Sequence, residues 1–216
     1  MASVQIGTAF DPKLHGFRFV NRFQVPFSVM FPLPFVSPIN LDKVIYGLCG
    51  GMCFGALDYY RAGKAVPAVN RVDDIENRFL LYLWDRQLDS LRLPAVLRVM
   101  EWMLIDDSTV ASRVSQREVP KVKRRIDKGS PAVLALIRTK GVSSPTQNHQ
   151  VMVVGYDYDA ESKDLVFQLY DPNHPGKAPT LSMNLTKPSH GLQLSQSTGE
   201  NLRGFFVLDY NPQRPF

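Results

Sequence analysis

The stretch Gly47-Leu-Cys-Gly-Gly-Met-Cys-Phe-Gly-Ala-Leu57 decides the fold, and it contains both cysteines of the chain, Cys49 and Cys53. Its first half is rich in glycine, whereas the apolar residues after Cys53 recur at helical spacing until Gly63. We therefore predict a helix from about Cys53 to Ala62, with Cys53 at or near its N-terminus. The free N–H groups and the dipole of a helix start favour a thiolate, which is the nucleophilic form of cysteine.

Three other uses of these cysteines remain open. A free cysteine is commonly a small buried core residue, and Cys53 fits that description as well. A zinc site would need two more ligands, and the chain has no second cysteine pair, so we expect no metal and no cofactor. A reversible Cys49–Cys53 disulfide that blocks the nucleophile would require the two Cα atoms to lie within bridging distance.

The composition is that of an ordinary globular domain. The chain has 216 residues, of which 44% are hydrophobic and 21% are charged, and its net charge is +5. Basic residues are scattered, and the densest run, Lys121-Val-Lys-Arg-Arg125, is typical of the solvated face of a helix. We therefore expect no nucleic-acid partner.

The early apolar segment, Val25 to Val36, is short and is broken by three prolines, so we expect no membrane span. The first residues lack the pattern of a secretory signal. We expect a cytoplasmic protein, with export by a route that needs no signal left open.

The chain divides into an N-terminal arm and a larger domain. Residues 1–44 form the predicted arm: 1–14 have the composition of a loose end, and 15–38 are rich in phenylalanine and proline, which favours extended structure. Residues 45–216 form the predicted catalytic domain, within a single domain overall. Its first half predicts helices after Asp73, over Ala95–Leu104 and over Val119–Asp127, with a polar connection at 106–118. Its second half predicts strands, so the fold class is α+β.

A histidine and an aspartate flank the clearest predicted hairpin. His149 precedes the strand Gln150–Tyr158, and Asp171 follows the returning strand Asp164–Tyr170. A turn centred near Ala160 would place His149 and Asp171 opposite each other, because each lies about 11 residues from the turn. The Asp171 carboxylate would then orient the imidazole, and Asn173 is the second candidate for that role.

These segments, in this order, resemble a papain-like cysteine peptidase, and most closely the bacteriocin-processing type. The resemblance rests on Cys49-Gly-Gly-Met-Cys53-Phe54, on Asn148-His149-Gln150 with the following Val-Met-Val-Val-Gly-Tyr156, and on Tyr170-Asp171-Pro172. It covers roughly residues 45–176. It implies a helical half, with the cysteine helix packed on an antiparallel sheet half, and a peptide or protein substrate. In such enzymes the nucleophile is the cysteine that precedes an aromatic residue at the helix start, which favours Cys53 followed by Phe54.

The chain departs from the family at one position. The family usually carries a glutamine several residues before the cysteine, as a donor to the oxyanion, whereas Gly47 stands at the expected place here. The side chain of Asn40 or backbone N–H groups of the glycine stretch could replace it.

Three functions are compatible with these residues. The first is a hydrolase of peptidase or isopeptidase type, in which Cys53 attacks, His149 moves the proton and Asp171 orients His149. The second is an acyltransferase that uses the same triad with an amine as the acceptor. The third is a binding or scaffold protein on the same fold without turnover, which the missing glutamine and the aromatic arm favour.

Overall fold

The computed structural model describes residues 3–24, 45–141, 145–186 and 192–216. Apart from three short strands near the N-terminus, helices fill the first part of these ranges and antiparallel strands fill the second. The predicted α+β class is therefore confirmed.

In the sequence, most of the described helices follow the cysteine stretch and precede the strands of the main sheet. They are α1 Pro12–His15, α2 Cys49–Arg61, α3 Asn77–Ser90, α4 Leu93–Leu104, α5 Asp107–Arg113 and α6 Val119–Asp127. A 3₁₀ turn at Val72–Asp74 precedes α3, and a π-helical turn at Val114–Glu118 joins α5 to α6. A second 3₁₀ turn, Pro145–Gln147, precedes the strand that begins at His149.

The described strands form one large antiparallel sheet and one short ladder. They are β1 Val4–Gly7, β2 Phe23–Gln24, β3 Ile45–Tyr46, β4 Ala132–Ile137, β5 His149–Tyr158, β6 Asp164–Tyr170, β7 Thr180–Asn184, β8 Ser195–Gln196 and β9 Gly204–Val207. The large sheet has the order β8-β7-β6-β5-β4-β9, and β1 pairs with the second half of β5. The central strand β5 is buried over its first eight residues; it lies between β6 and β4 in the sheet and contacts α2 and α6.

The sequence predicted α6 and β6 with the observed bounds. It predicted the cysteine helix to begin too late, and it missed α5. The cysteine helix begins at Cys49, four residues before the predicted start. The predicted polar connection 106–118 is instead α5 followed by the π-helical turn. The Asp106 side chain caps α5 by accepting a hydrogen bond from the Thr109 N–H, and Val110 and Val114 are buried one turn apart.

The described part of the N-terminal arm is built into the fold. Strand β1 lies within the segment predicted to be a loose end, and it pairs with β5. The Phe10 ring of that segment is buried, and so are three rings of the next segment, in which Phe19 contacts both Phe17 and Phe23. Residues 25–44 lie outside the described residues, so the boundary at residue 44 stays a prediction.

The two adjacent glycines of the cysteine stretch allow α2 to cross α3 closely. A Cβ on Gly50 would lie 2.1 Å from Ser90 Oγ, and a Cβ on Gly51 would lie 2.1 Å from the Leu83 carbonyl oxygen. The N–H of Gly51 also donates to Gln87 Oε1 at 2.9 Å. The glycines therefore belong to the first turn of the helix and to its packing rather than to a flexible loop.

We expect Gly51→Ala to lower the free energy of unfolding by about 1–3 kcal/mol or more, because the added methyl group meets backbone atoms of α3. Urea unfolding followed by circular dichroism measures this change. Gly7→Ala is the matched control, since its Cβ would lie 4.0 Å from the nearest such atom, the Val154 carbonyl oxygen. Equal stabilities of the two variants would contradict the close helix crossing.

The hairpin of β5 and β6 has a different register from the predicted one. Tyr158 pairs with Leu165, and a bulge between Val153 and Gly155 shifts the register so that Met152 pairs with Tyr170. The next position therefore places Asp171 opposite Val151, two residues from His149. Because residues two apart on a strand share a face, the two side chains still meet, on a diagonal.

Candidate active site

Cys49 occupies the first position of α2, next to the sheet. Its side chain is partly exposed, and it makes a hydrogen bond with the imidazole of His149. The backbone N–H groups of Gln150 and Gly50 also point to its sulfur. A thiol with these neighbours has an imidazole to take its proton and N–H groups to stabilise the resulting charge.

Cys53 lies one turn further along α2 and is fully buried. Its thiol lies 3.7 Å from the carbonyl oxygen of Gln150, to which it donates a hydrogen bond. Burial, followed by the nearby charges of Cys49 and Asp171, raises the pKa of Cys53 well above its ordinary value. The geometry therefore favours Cys49 over the predicted Cys53 as the candidate nucleophile, because Cys53 is neither exposed nor readily ionised.

His149 begins β5 and is almost completely buried. Its Nε2 lies 2.7 Å from Asp171 Oδ1, so the contact expected between these two residues is present. Because Asp171 engages Nε2, the other ring nitrogen, Nδ1, is left for the Cys49 sulfur. The three side chains thus form a continuous chain from the helix start to the end of β6.

Asp171 is completely buried and has several donors around it. Its Oδ1 also accepts the backbone N–H of Asn173 at 2.9 Å, and its Oδ2 accepts the Gln196 Nε2 at 3.2 Å. Gln196 is itself buried, and its Oε1 accepts from the Arg138 guanidinium at 3.2 Å. These contacts fix the carboxylate so that it presents one oxygen to His149.

The surroundings shift the pKa values of the group in the direction that favours an ion pair. Burial opposes charge on His149, but the hydrogen bonds to Asp171 and Cys49 outweigh it and raise its pKa to about 9. The partial burial of Cys49 also opposes a thiolate there, but the contacts with His149 and the two backbone N–H groups lower its pKa. Burial likewise opposes charge on Asp171, yet the imidazole holds the pKa of that carboxyl below its ordinary value.

The far end of α2 is anchored by a buried ion pair. Asp58 Oδ2 lies 2.8 Å from Arg86 Nε of α3, and both side chains are completely buried. Asp58 also accepts hydrogen bonds from Tyr82 Oη and from the N–H of Gln213. The guanidinium stacks over the Phe54 ring, with 5.0 Å between its central carbon and the ring centroid. This cluster fixes the helix that carries Cys49.

The other predicted candidates have different positions. Asn40 lies outside the described residues. Asn173 supports Asp171 with its backbone N–H, and its side-chain oxygen accepts from Asn21 Nδ2 at 2.9 Å, so its hydrogen bonds are to residues other than His149. Sequence reasoning missed Gln196 and Asn21, because neither belongs to a motif and both reach the site only through the tertiary fold.

The described residues form neither a cluster that could hold a metal ion nor a helix that could cross a membrane. No three His, Cys, Asp or Glu side chains among them are grouped so that they could hold a metal ion. No helix in this part of the chain is long and apolar enough to cross a membrane.

One comparison with known proteins gives a match. Residues 89–185 match the model of the Peptidase_C39 like family. This match supports a papain-like cysteine peptidase superfamily for the segment. The bacteriocin-processing type named above agrees with the family name, and the cysteine helix packed on an antiparallel sheet is a papain-like arrangement. No curated protein and no solved structure matches the chain.

The matched segment includes His149 and Asp171 but neither cysteine. The choice between Cys49 and Cys53 therefore depends on the geometry alone. The match supports a cysteine peptidase-like hydrolase that acts on a peptide or protein.

Proposed function

We propose that this protein hydrolyses an amide bond in a peptide or protein with Cys49 as the nucleophile, His149 as the acid and base, and Asp171 as the residue that orients His149. The contact of Cys49 with His149 is the observation that carries this proposal. It joins a partly exposed thiol at a helix start to an imidazole that a buried carboxylate holds in place.

The reaction follows from these positions. The Cys49 thiolate attacks the substrate carbonyl carbon, a C–S bond forms, and the carbonyl electron pair moves to the oxygen. When the carbonyl reforms, the C–N bond breaks, and the leaving amine takes the proton from His149. A water molecule, deprotonated by His149, then attacks the thioester and releases the acid and the free thiol.

The test is cleavage of a mixture of unstructured peptides, with mass spectrometry to detect new peptide ends. We expect the wild-type protein to produce new peptide ends and His149→Ala to produce none. The imidazole is needed both to take the proton from the thiol and to protonate the leaving amine. Cleavage at equal rates by the two proteins would overturn the proposal. Transfer of acyl groups to an added amine without hydrolysis would favour the acyltransferase instead.

The rate of hydrolysis should depend on pH in a bell shape. The active form has a Cys49 thiolate and a His149 imidazolium, so the rate rises as Cys49 ionises below the ordinary thiol range. It falls as His149 loses its proton near pH 9. Asp171→Asn removes the charge that raises the pKa of His149, so we expect the alkaline limb to move to lower pH by about 1–3 units.

The Asp171→Asn profile is measured as kcat/KM from pH 5 to pH 10 on one cleaved peptide. Asp127→Asn is the control, because Asp127 contacts Tyr156 and lies outside this chain of contacts. An alkaline limb that stays in place in Asp171→Asn would show that Asp171 does not set the charge of His149.

A further inference from the structure

Attack by Cys49 leaves a negative charge on the substrate oxygen, and hydrogen-bond donors held in place must stabilise that charge. The Cys49 N–H is one such donor, because it stands at the first position of α2, where helical N–H groups lack intrahelical partners. No acceptor for it is found among the described residues. A second donor from a side chain would complete the site.

Asn21 lies directly beside the start of α2. Its Oδ1 accepts a hydrogen bond from the N–H of Leu48, the residue before Cys49. Its own backbone N–H donates to the Pro172 carbonyl oxygen at 3.0 Å, and its Nδ2 donates to Asn173 Oδ1 at 2.9 Å. The side chain is therefore held from both sides, between the nucleophile segment and the turn after Asp171.

These contacts also fix which way the carboxamide faces. The Leu48 N–H can only donate, so the Asn21 oxygen must face it and the nitrogen must lie on the other side. The nitrogen lies close to the chain before Cys49, since a Cβ on Gly47 would be 2.8 Å from Nδ2. The fold thus places an oriented amide nitrogen next to the residues that lead into Cys49.

One proton of this nitrogen goes to Asn173, and an amide nitrogen carries two. Two donors that share one oxygen, each about 2.9 Å from it, lie up to about 6 Å apart. The Leu48 N–H that holds Asn21 is adjacent in the chain to the Cys49 N–H, so the Asn21 amide lies beside the backbone that presents this N–H.

We propose that Asn21 donates its second Nδ2 proton to the oxyanion that forms when Cys49 attacks a carbonyl. This proposal rests on the proposed function. It assigns the oxyanion donor to a residue 28 positions before Cys49 in the sequence. It also gives Gly47 a reason to lack a side chain, because a Cβ there would displace the amide.

The test compares two reactions of the same thiolate. Acylation by p-nitrophenyl acetate passes through an oxyanion, whereas alkylation by iodoacetamide does not, so the ratio of their rate constants reports stabilisation of the oxyanion. Asn21→Asp keeps an acceptor for the Leu48 N–H and removes the donor, and Asn21→Ala removes both. Asn184→Asp is the matched control, since Asn184 joins Ser162 and Asp164 on a different part of the sheet.

We expect the ratio to fall by about 10-fold or more in both Asn21 variants, toward the 10²–10³-fold loss seen when one oxyanion donor is removed. Asn184→Asp should keep the wild-type ratio. An unchanged ratio in Asn21→Asp overturns the proposal, including the case in which both rates fall together, because Asn21 would then only hold the segment. Failure of the proposed function is a separate result: His149→Ala would alkylate as fast as the wild type.

Discussion

Replacing Cys49 with alanine is expected to abolish peptide cleavage, whereas replacing Cys53 with alanine should leave it close to the wild-type level. Cys49 is the cysteine that is partly exposed and that contacts His149. Removing the nucleophile of a serine protease lowers kcat by about 10⁶-fold, and a loss on that scale would be complete in a peptide assay. Cys53 is buried and protonated, so its removal alters packing and not the reacting group.

The two variants are compared by mass spectrometry of the same peptide mixture, and their folding is checked by circular dichroism. Cys53→Ala leaves a small cavity in the core and should lower the free energy of unfolding by about 1–3 kcal/mol. A folded Cys49→Ala protein that still cleaves peptides would exclude Cys49 as the nucleophile. A folded but inactive Cys53→Ala protein would return that role to Cys53.

Asp58→Ala should lower the free energy of unfolding by about 3–5 kcal/mol. Asp58 and Arg86 are completely buried at 2.8 Å, and removing Asp58 takes from Arg86 the fully buried one of the two carboxylates that it contacts, Asp58 and Asp89. The hydroxyl of Tyr82 and the N–H of Gln213 would also lose their acceptor. Because the pair joins α2 to α3, the variant should also loosen the helix that carries Cys49.

Urea unfolding of the two proteins measures the loss, and Asp73→Ala is the matched control. Asp73 also pairs with an arginine, Arg71, at 3.3 Å, but both side chains are largely exposed, so its removal should cost less than about 1 kcal/mol. Equal losses from Asp58→Ala and Asp73→Ala would mean that the buried pair does not anchor α2.

The sequence predicted the sheet part of the site better than the helix part. Alternating apolar residues and turn residues predicted the bounds of β6 correctly. The predicted hairpin also placed His149 and Asp171 on one face, and they share a face in the structure although the bulge in β5 changes the register. Side chains two residues apart still share a face, so the contact tolerated an error of two positions. A one-residue error would have separated them.

The helix start was misplaced because glycine has two roles. Gly50 and Gly51 have low helix propensity, which predicted a loop, yet they permit the close crossing of α3 that stabilises this turn of helix. The aromatic residue after Cys53 favoured Cys53 as the nucleophile, whereas in the structure Phe54 packs under Arg86 in the core. Asn21 and Gln196 reach the site from distant parts of the chain, and no local pattern marks them.

The most direct test of the site is the rate of iodoacetamide labelling against pH, with mass spectrometry to locate the adduct, on wild type and on His149→Ala. We expect an adduct on Cys49 that forms rapidly well below pH ~8.5, the ordinary value for a free thiol, and that forms slowly there in His149→Ala. Labelling of Cys53 in place of Cys49, or slow labelling of Cys49 with an ordinary thiol profile in both proteins, would contradict it.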